Sequence, residues 1–257
     1  MCGLVGILLG QQPDRFTLGQ LKNLFTQVLL ANEERGKEAT GVAASRPDGS
    51  VLILKRPICA SAFVQTKEYQ WWMDAWDEEV CTLLGHTRKP TKGSVWNPHN
   101  NHPIQVGRTV GIHNGTIRND VALFRDAHLE RTAEVDSEII FSLLERSSQK
   151  DPQHLLTADI QQISRQLTGQ FTTLSFHLLN PEELLVLKYN QPVSFHYCPT
   201  LDSYFFSSRY LFLRKAFGRQ VVTEALPSRT GYVFNARKVG HTKGQPLRQF
   251  PLQSADD

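Results

Sequence analysis

Residues 3–9 read Gly-Leu-Val-Gly-Ile-Leu-Leu without a polar break, the pattern of a buried strand. After Thr17, apolar residues recur at Leu18, Leu21, Leu24, Phe25, Val28 and Leu29, which predicts an amphipathic helix over 18–33 closed by Gly36. Strands at 40–45 and 51–55 flank Pro47-Asp48-Gly49-Ser50, a hairpin signal. A helix over 63–79 carries Trp71, Trp72 and Trp76, which read as packing residues before a ligand shelf. A strand at 81–85 ends at His86-Thr87-Arg88. Residues 89–103 lose all periodicity and form a loop long enough to suggest function. Strands at 104–106 and 109–112 make a hairpin closed near Gly107, and His113-Asn114-Gly115 turns the chain. Helices are expected at 119–127, 137–147 and 153–167; Ile139, Ile140, Leu143 and Leu144 share a face of the second. The pattern then changes to strands at 171–179, 184–189, 193–198 and 204–208, a helix at 209–216, and strands near 219–223 and 231–236. Short hairpin-linked strands with helices packed outside predict an α+β fold of mainly antiparallel sheets. One domain spans 2–239, and 240–257 is a polar, loosely held tail.

Composition narrows the class. The 257 residues are 40% hydrophobic and 21% charged, with a net charge of +3. That balance is too mild to argue for nucleic acid or an anionic membrane. No apolar run reaches the length of a membrane span, and the apolar start lacks the basic flank of a signal peptide, so the expected location is cytoplasmic. Cys2, Cys59, Cys81 and Cys198 match no zinc or redox spacing and are expected to be reduced. The last three read as small core hydrophobes. No metal site, nucleotide-binding glycine loop or cofactor is expected.

The chemistry starts at Met1-Cys2-Gly3. Removal of Met1 would leave Cys2 with a thiol and a free α-amine, groups with ordinary pKa values of about 8.5 and about 7.7–8.0. The amine can then serve as general base for the thiol, so one residue supplies a nucleophile–base pair. A Met-Cys start can also be accidental. Attack on an amide further needs oxyanion donors and groups that hold the substrate. Arg88, at a strand end, suits capture of a carboxylate, although a lone Arg more often makes a surface ion pair. Asn114 and Gly115 offer two neutral donors to an oxyanion, although Asn-Gly is also a strong turn signal. Asp136 could hold an ammonium, or simply cap the helix after it, and Glu138 complements that helix's dipole.

Taken in order, six motifs resemble the class II glutamine amidotransferase domain of the N-terminal nucleophile hydrolases. They are Cys2-Gly3-Leu4-Val5-Gly6-Ile7, Arg35-Gly36 with Gly41, Gly85-His86-Thr87-Arg88, His102-Pro103, His113-Asn114-Gly115-Thr116-Ile117 and Asp136-Ser137-Glu138. The likeness is strong over about 2–145 and weaker to about 236, through Gly169-Gln170-Phe171 and Phe206-Ser207-Ser208. It is greatest to the glutaminase half of glucosamine-6-phosphate synthase and amidophosphoribosyltransferase. The resemblance implies a four-layer αββα sandwich. It implies that Cys2 forms a γ-glutamyl thioester, that Asn114 and Gly115 line the oxyanion hole, and that Arg88 and Asp136 hold the α-carboxylate and α-ammonium of L-glutamine. Arg35 would order Cys2, with His86 and Thr91 on the substrate side.

The chain departs from the synthases at Lys89-Pro90-Thr91-Lys92-Gly93, where they commonly carry Trp-Ala-Thr-His-Gly. It also leaves no room for an acceptor module, so the expected partner is a separate ammonia-accepting synthase subunit. Two other functions are compatible with the residues: an N-terminal cysteine amidohydrolase acting on another amide, and a degenerate binding or regulatory module.

Overall fold

The structure, a computed structural model, describes residues 2–10, 14–149, 156–218, 221, 224–242 and 244–257, with backbone alone at Arg15 and Glu224. Strand β1 (Gly3–Leu9) sets the layering. Its Val5, Ile7 and Leu9 join a core with Leu21, Phe25, Val28 and Leu29 of helix α1 (Arg15–Asn32). Leu4 and Leu8 point the other way and meet Val110, Ile112, Leu174 and Phe176 of a second sheet. Successive side chains of a strand take opposite faces, so an unbroken apolar run needs cover on both.

The first sheet has seven strands. In order they are β11 (Glu224–Ala225), β9 (Ser194–Cys198), β10 (Ser203–Ser207), β1, β4 (Thr82–Arg88), β2 (Ala39–Ser45) and β3 (Val51–Arg56). The second has six: β13 (Arg248–Pro251), β12 (Thr230–Asn235), β8 (Asn180–Tyr189), β7 (Gly169–His177), β6 (Thr109–Ile117) and β5 (Ile104–Val106). Neighbouring strands pair antiparallel. Helices α1, α2 (Ala60–Phe63), α3 (Lys67–Ala75) and α7 (Tyr210–Phe217) cover the outer face of the first sheet. Helices α4 (Asp120–Asp126), α5 (Ser137–Ser148) and α6 (Thr157–Gln166) cover the second. The short α8 (Val239–Thr242) closes one end, with Val239 in the core between the sheets. The result is the expected α+β, four-layer αββα sandwich. Among the described residues no helix is long and apolar enough to cross a membrane.

Several elements differ from the sequence reading. Helix α1 starts earlier, because Asp14 rather than Thr17 caps it, accepting from Thr17 N at 2.7 Å. The helix expected over 63–79 is the shorter α3, capped by Thr66 and ended at Trp76, with α2 a separate turn before it. Trp72 and Trp76 are core residues, while Trp71 is 63% exposed. The 219–223 strand falls largely outside the described residues. The segment after 240 is not loose: β13 pairs with β12, and Leu252 and Ser254 are buried.

The largest correction concerns His113-Asn114-Gly115, which is not a turn. β6 runs straight through it, paired with β7 from Thr109↔His177 to Ile117↔Gly169. Gly115 sits at φ 139°, and a Cβ there would lie 1.9 Å from Gln170 O. Only glycine accepts that backbone and that approach, so the local bend stays inside the strand.

Candidate active site

The register of β1 against β4 pairs Gly3 with Thr87 and Leu4 with His86. Cys2 therefore arrives beside the step from Arg88 to Lys89. Its Sγ accepts from Lys89 N at 3.3 Å and lies 3.4 Å from Lys89 O, to which the thiol donates. Two side chains hold the Cys2 carbonyl. Arg35 Nε donates to it at 2.6 Å and Asn114 Nδ2 at 2.7 Å. Arg35 comes from the short 3₁₀ turn after α1, and Asn114 from the middle of β6 in the other sheet. The Cys2 main chain is thus held by the turn after α1 and by β6 of the second sheet.

Asn114 Nδ2 also donates to Ser208 Oγ at 3.0 Å, and Ser208 Oγ accepts from Leu4 N at 2.7 Å. Ser208 N returns a bond to Leu4 O at 3.1 Å. Asn32 and Thr87 complete the floor on the α1 side, Thr87 Oγ1 donating to Asn32 O at 2.7 Å.

Arg88 is buried and its guanidinium is occupied. Nη1 donates to Asn101 Oδ1 at 2.8 Å, and Nη2 donates to Lys92 O at 2.6 Å and Gly93 O at 2.9 Å. It folds the 89–101 loop back over the site. Asn101 Nδ2 donates to Val95 O, and Asn100 links Ser94 to Glu134. Lys92 Nζ pairs with the buried Asp120 at 3.1 Å, and Arg131 shares that carboxylate at 2.7 Å. Thr91 lies exposed on this loop, and among the described residues no hydrogen bond ties it to Cys2.

Asp136 stands at the N-cap position of α5 but makes no capping bond. Its Oδ2 accepts from Ile117 N at 2.6 Å, across to the end of β6. Glu138, expected as a first-turn surface charge, is buried. Its carboxylate accepts from Thr132 N, Thr132 Oγ1 and Ala133 N and anchors the segment leading into α5. His86 pairs across the sheet with Leu4 of β1, its Nε2 donating to His113 O at 3.1 Å, with the His102 ring tilted against it at 4.2 Å between ring centres. Gly41 makes room for this pair, since a Cβ there would sit 2.1 Å from His102 O.

No family model matches the chain. The isomerizing glutamine–fructose-6-phosphate aminotransferase of Leifsonia xyli subsp. xyli is 32% identical over 199 residues, taking in 75% of this chain and 30% of that protein. The 7-cyano-7-deazaguanine synthase of Saccharolobus solfataricus is 26% identical over 211 residues, 81% of this chain and 43% of that protein. The chain therefore spans less than half the length of either relative. The glutamine phosphoribosylpyrophosphate amidotransferase of B. subtilis has the same fold, with a TM-score of 0.70 at 17% identity over 98% of this chain and 49% of that one. The chain is a class II glutamine amidotransferase domain.

Electrostatics in this amidotransferase domain follow from burial. Burial raises the Cys2 thiol above its ordinary pKa, opposed by the Lys89 backbone bond and by the charges of Arg88 and Arg35. Burial lowers the Arg88 and Arg35 guanidinium values; Cys2 opposes the shift at both, and Asp136 does so at Arg88. His86 is pushed down to about 3 by burial, and His102 and His113 are lowered for the same reason. All three imidazoles are neutral at pH 7, so none supplies a proton there. Among the described residues no group of His, Cys, Asp and Glu is arranged to hold a metal ion.

Ser208, Asn101, Glu134 and Asp120 are contributors that the sequence does not single out. Phe206-Ser207-Ser208 belongs to the weak part of the resemblance, but nothing in a Ser-Ser pair tells which hydroxyl meets the nucleophile strand. Asn100-Asn101 lies in a stretch without periodicity, where polar residues are the default.

Proposed function

We propose that this domain hydrolyses L-glutamine to L-glutamate and ammonia through a γ-glutamyl thioester on Cys2, and that the ammonia passes to a synthase partner. The observation that carries the proposal is the double grip on the Cys2 carbonyl by Arg35 and Asn114, with the sulfur resting on the Lys89 backbone beside Arg88.

With Met1 removed, the α-amine takes the thiol proton as sulfur attacks the side-chain carbonyl carbon. The carbonyl electrons move to oxygen, where Asn114 and the Gly115 N–H supply donors. The hydrogen that Asn114 directs at Cys2 is shared with this oxyanion. Collapse breaks the C–N bond, and the amine returns its proton so that ammonia leaves. Water then opens the thioester, yielding glutamate and the free thiol. Oxyanion donors of this kind are each worth about 2.7–4 kcal/mol of transition-state stabilisation.

Arg88 and Asp136 serve the α-carboxylate and α-ammonium of the substrate. Arg88 has its loop contacts to keep, so substrate capture and loop closure share one guanidinium. The fixed distance from head group to amide favours glutamine over asparagine, whose amide falls one carbon short. The relatives' names offer two acceptor classes, a sugar phosphate and a deazapurine precursor.

The test is ammonia release from glutamine by the protein whose Met1 loss has been verified by mass spectrometry. Release that is absent in Cys2→Ala, with a glutamine-like electrophile labelling Cys2 and sparing Cys59, Cys81 and Cys198, supports the reading. Release unaffected by Cys2→Ala refutes it.

A further inference from the structure

Ser208 occupies a position that the reaction above does not use. It is fully buried and lies just past the end of β10, next to β1. One oxygen accepts two hydrogen bonds from groups of different origin: Leu4 N of the nucleophile strand at 2.7 Å and Asn114 Nδ2 of the other sheet at 3.0 Å. A hydroxyl oxygen has two lone pairs, and both are filled.

The consequence falls on Asn114. Its carboxamide plane has one hydrogen on Ser208 Oγ and the other on the Cys2 carbonyl, while buried Oδ1 has no close hydrogen bond among the described residues and lies within reach only of the His86 side chain. Oδ1 is left to the buried His86 side chain, and a flipped amide would set Oδ1 against the Cys2 carbonyl oxygen. The contact with Ser208 supplies the second point that fixes the rotation.

We propose that Ser208 is a positioning residue that locks the Asn114 carboxamide, so that one hydrogen stays aimed at the Cys2 carbonyl. The inference rests on the glutaminase reading for its kinetic consequence, but not for its structural one. Ser208 touches neither substrate nor the reacting atoms. It acts through Asn114, and through Leu4 it ties that setting to the strand that carries Cys2. Donor alignment matters here because a displacement of about 1 Å in a catalytic group can cost about a hundred-fold in rate.

The experiment combines kinetics with NMR of the Asn114 side-chain amide in the whole chain. Ser208→Ala is expected to lower kcat for glutamine hydrolysis about ten- to a hundred-fold with KM changed by no more than about two-fold. Ser208→Cys, which keeps a weak acceptor, should recover part of the loss. In an Asn114→Ala background Ser208→Ala should add nothing, because the two act as one unit. The Asn114 amide hydrogens should exchange slowly in the parent protein and fast in Ser208→Ala, and alkylation of Cys2 by iodoacetamide in that variant reports that the strand remains in place. Multiplying effects in the double variant, or a slow-exchanging Asn114 amide in Ser208→Ala, would overturn the proposal. If Asn114→Ala turns over glutamine normally while the exchange result holds, the glutaminase reading fails and the positioning role stands.

Discussion

Arg35 Nε donates to the Cys2 carbonyl oxygen over 2.6 Å, tying the turn after α1 to the residue that carries the thiol. The guanidinium is buried, and its Nη2 has no partner among the described residues. A charge in that setting makes a stronger bond than a neutral donor, about 1.5–3 kcal/mol. Arg35→Lys keeps the charge but not the planar fork, and is expected to lose most of the Cys2 labelling rate. Measuring that rate with a glutamine-like electrophile checks it; an unchanged rate would remove Arg35 from the site.

Gly115 gives a sharper expectation. Its φ of 139° and its approach to Gln170 O exclude any side chain. Gly115→Ala should cost at least about 1–3 kcal/mol from backbone strain alone and displace the neighbouring Asn114. Thermal unfolding reads the first effect and kcat the second.

Asp136 allows charge and hydrogen bonding to be separated. Asp136→Asn preserves an acceptor for Ile117 N, so stability should change by less than about 1 kcal/mol. The charge proposed to hold the substrate ammonium is gone, so KM for glutamine should rise about ten-fold or more while kcat holds. Steady-state kinetics beside a denaturant titration decides it. A KM equal to that of the parent would assign Asp136 a structural role only.

The histidine cluster makes the fold sensitive to acid. An imidazole that stays neutral in the folded chain, while the unfolded chain protonates near pH 6.5, favours unfolding as pH falls. For His86 the stability is fully present above about pH 6.5 and is lost on descent toward about 3. Each such histidine adds a slope of up to about 1.4 kcal/mol per pH unit. Among the described residues neither ring nitrogen of His102 has a partner, and its ring lies tilted against that of His86. His102→Phe should therefore flatten the dependence between pH 6.5 and 5 and leave stability at pH 7.5 unchanged or higher. Urea unfolding at several pH values tests this.

Arg88 holds the loop and is proposed to hold the substrate carboxylate as well, and its removal should separate the two. Arg88→Ala is expected to raise KM for glutamine and to free the 89–101 loop from Asn101, Lys92 and Gly93. Faster tryptic cleavage after Lys92 would report the second effect. A KM increase with no change in cleavage would confine Arg88 to substrate capture.

Much of this was readable in the chain because the signals were local. The apolar run of β1, the helical spacing of α1 and α5, and the turn residues at 47–50 and Gly107 each depend on nearby positions. The order of six short motifs pointed to the family, although no single motif did. What failed was non-local. Asn114-Gly115 looks like a hairpin turn until β7 is known to pair along the whole of β6. β13 has a single buried aromatic, Phe250, and becomes a strand only because β12 offers an edge. Arg88 reads as a free cation because loop carbonyls leave no mark in a sequence. Ser208 likewise gains meaning only when β10 is laid beside β1.

That last pairing bears on how the protein is made. β1 is made long before β10, residues 203–207, which is one of its two neighbours. Until β10 has been made, β1 has one open edge and the Cys2 thiol has no finished surroundings. Folding dominated by such distant pairings is slow and exposes strand edges meanwhile. A nascent chain in which β10 has not yet been made would therefore carry the Cys2 thiol without the Ser208 and Leu4 contacts that complete its surroundings.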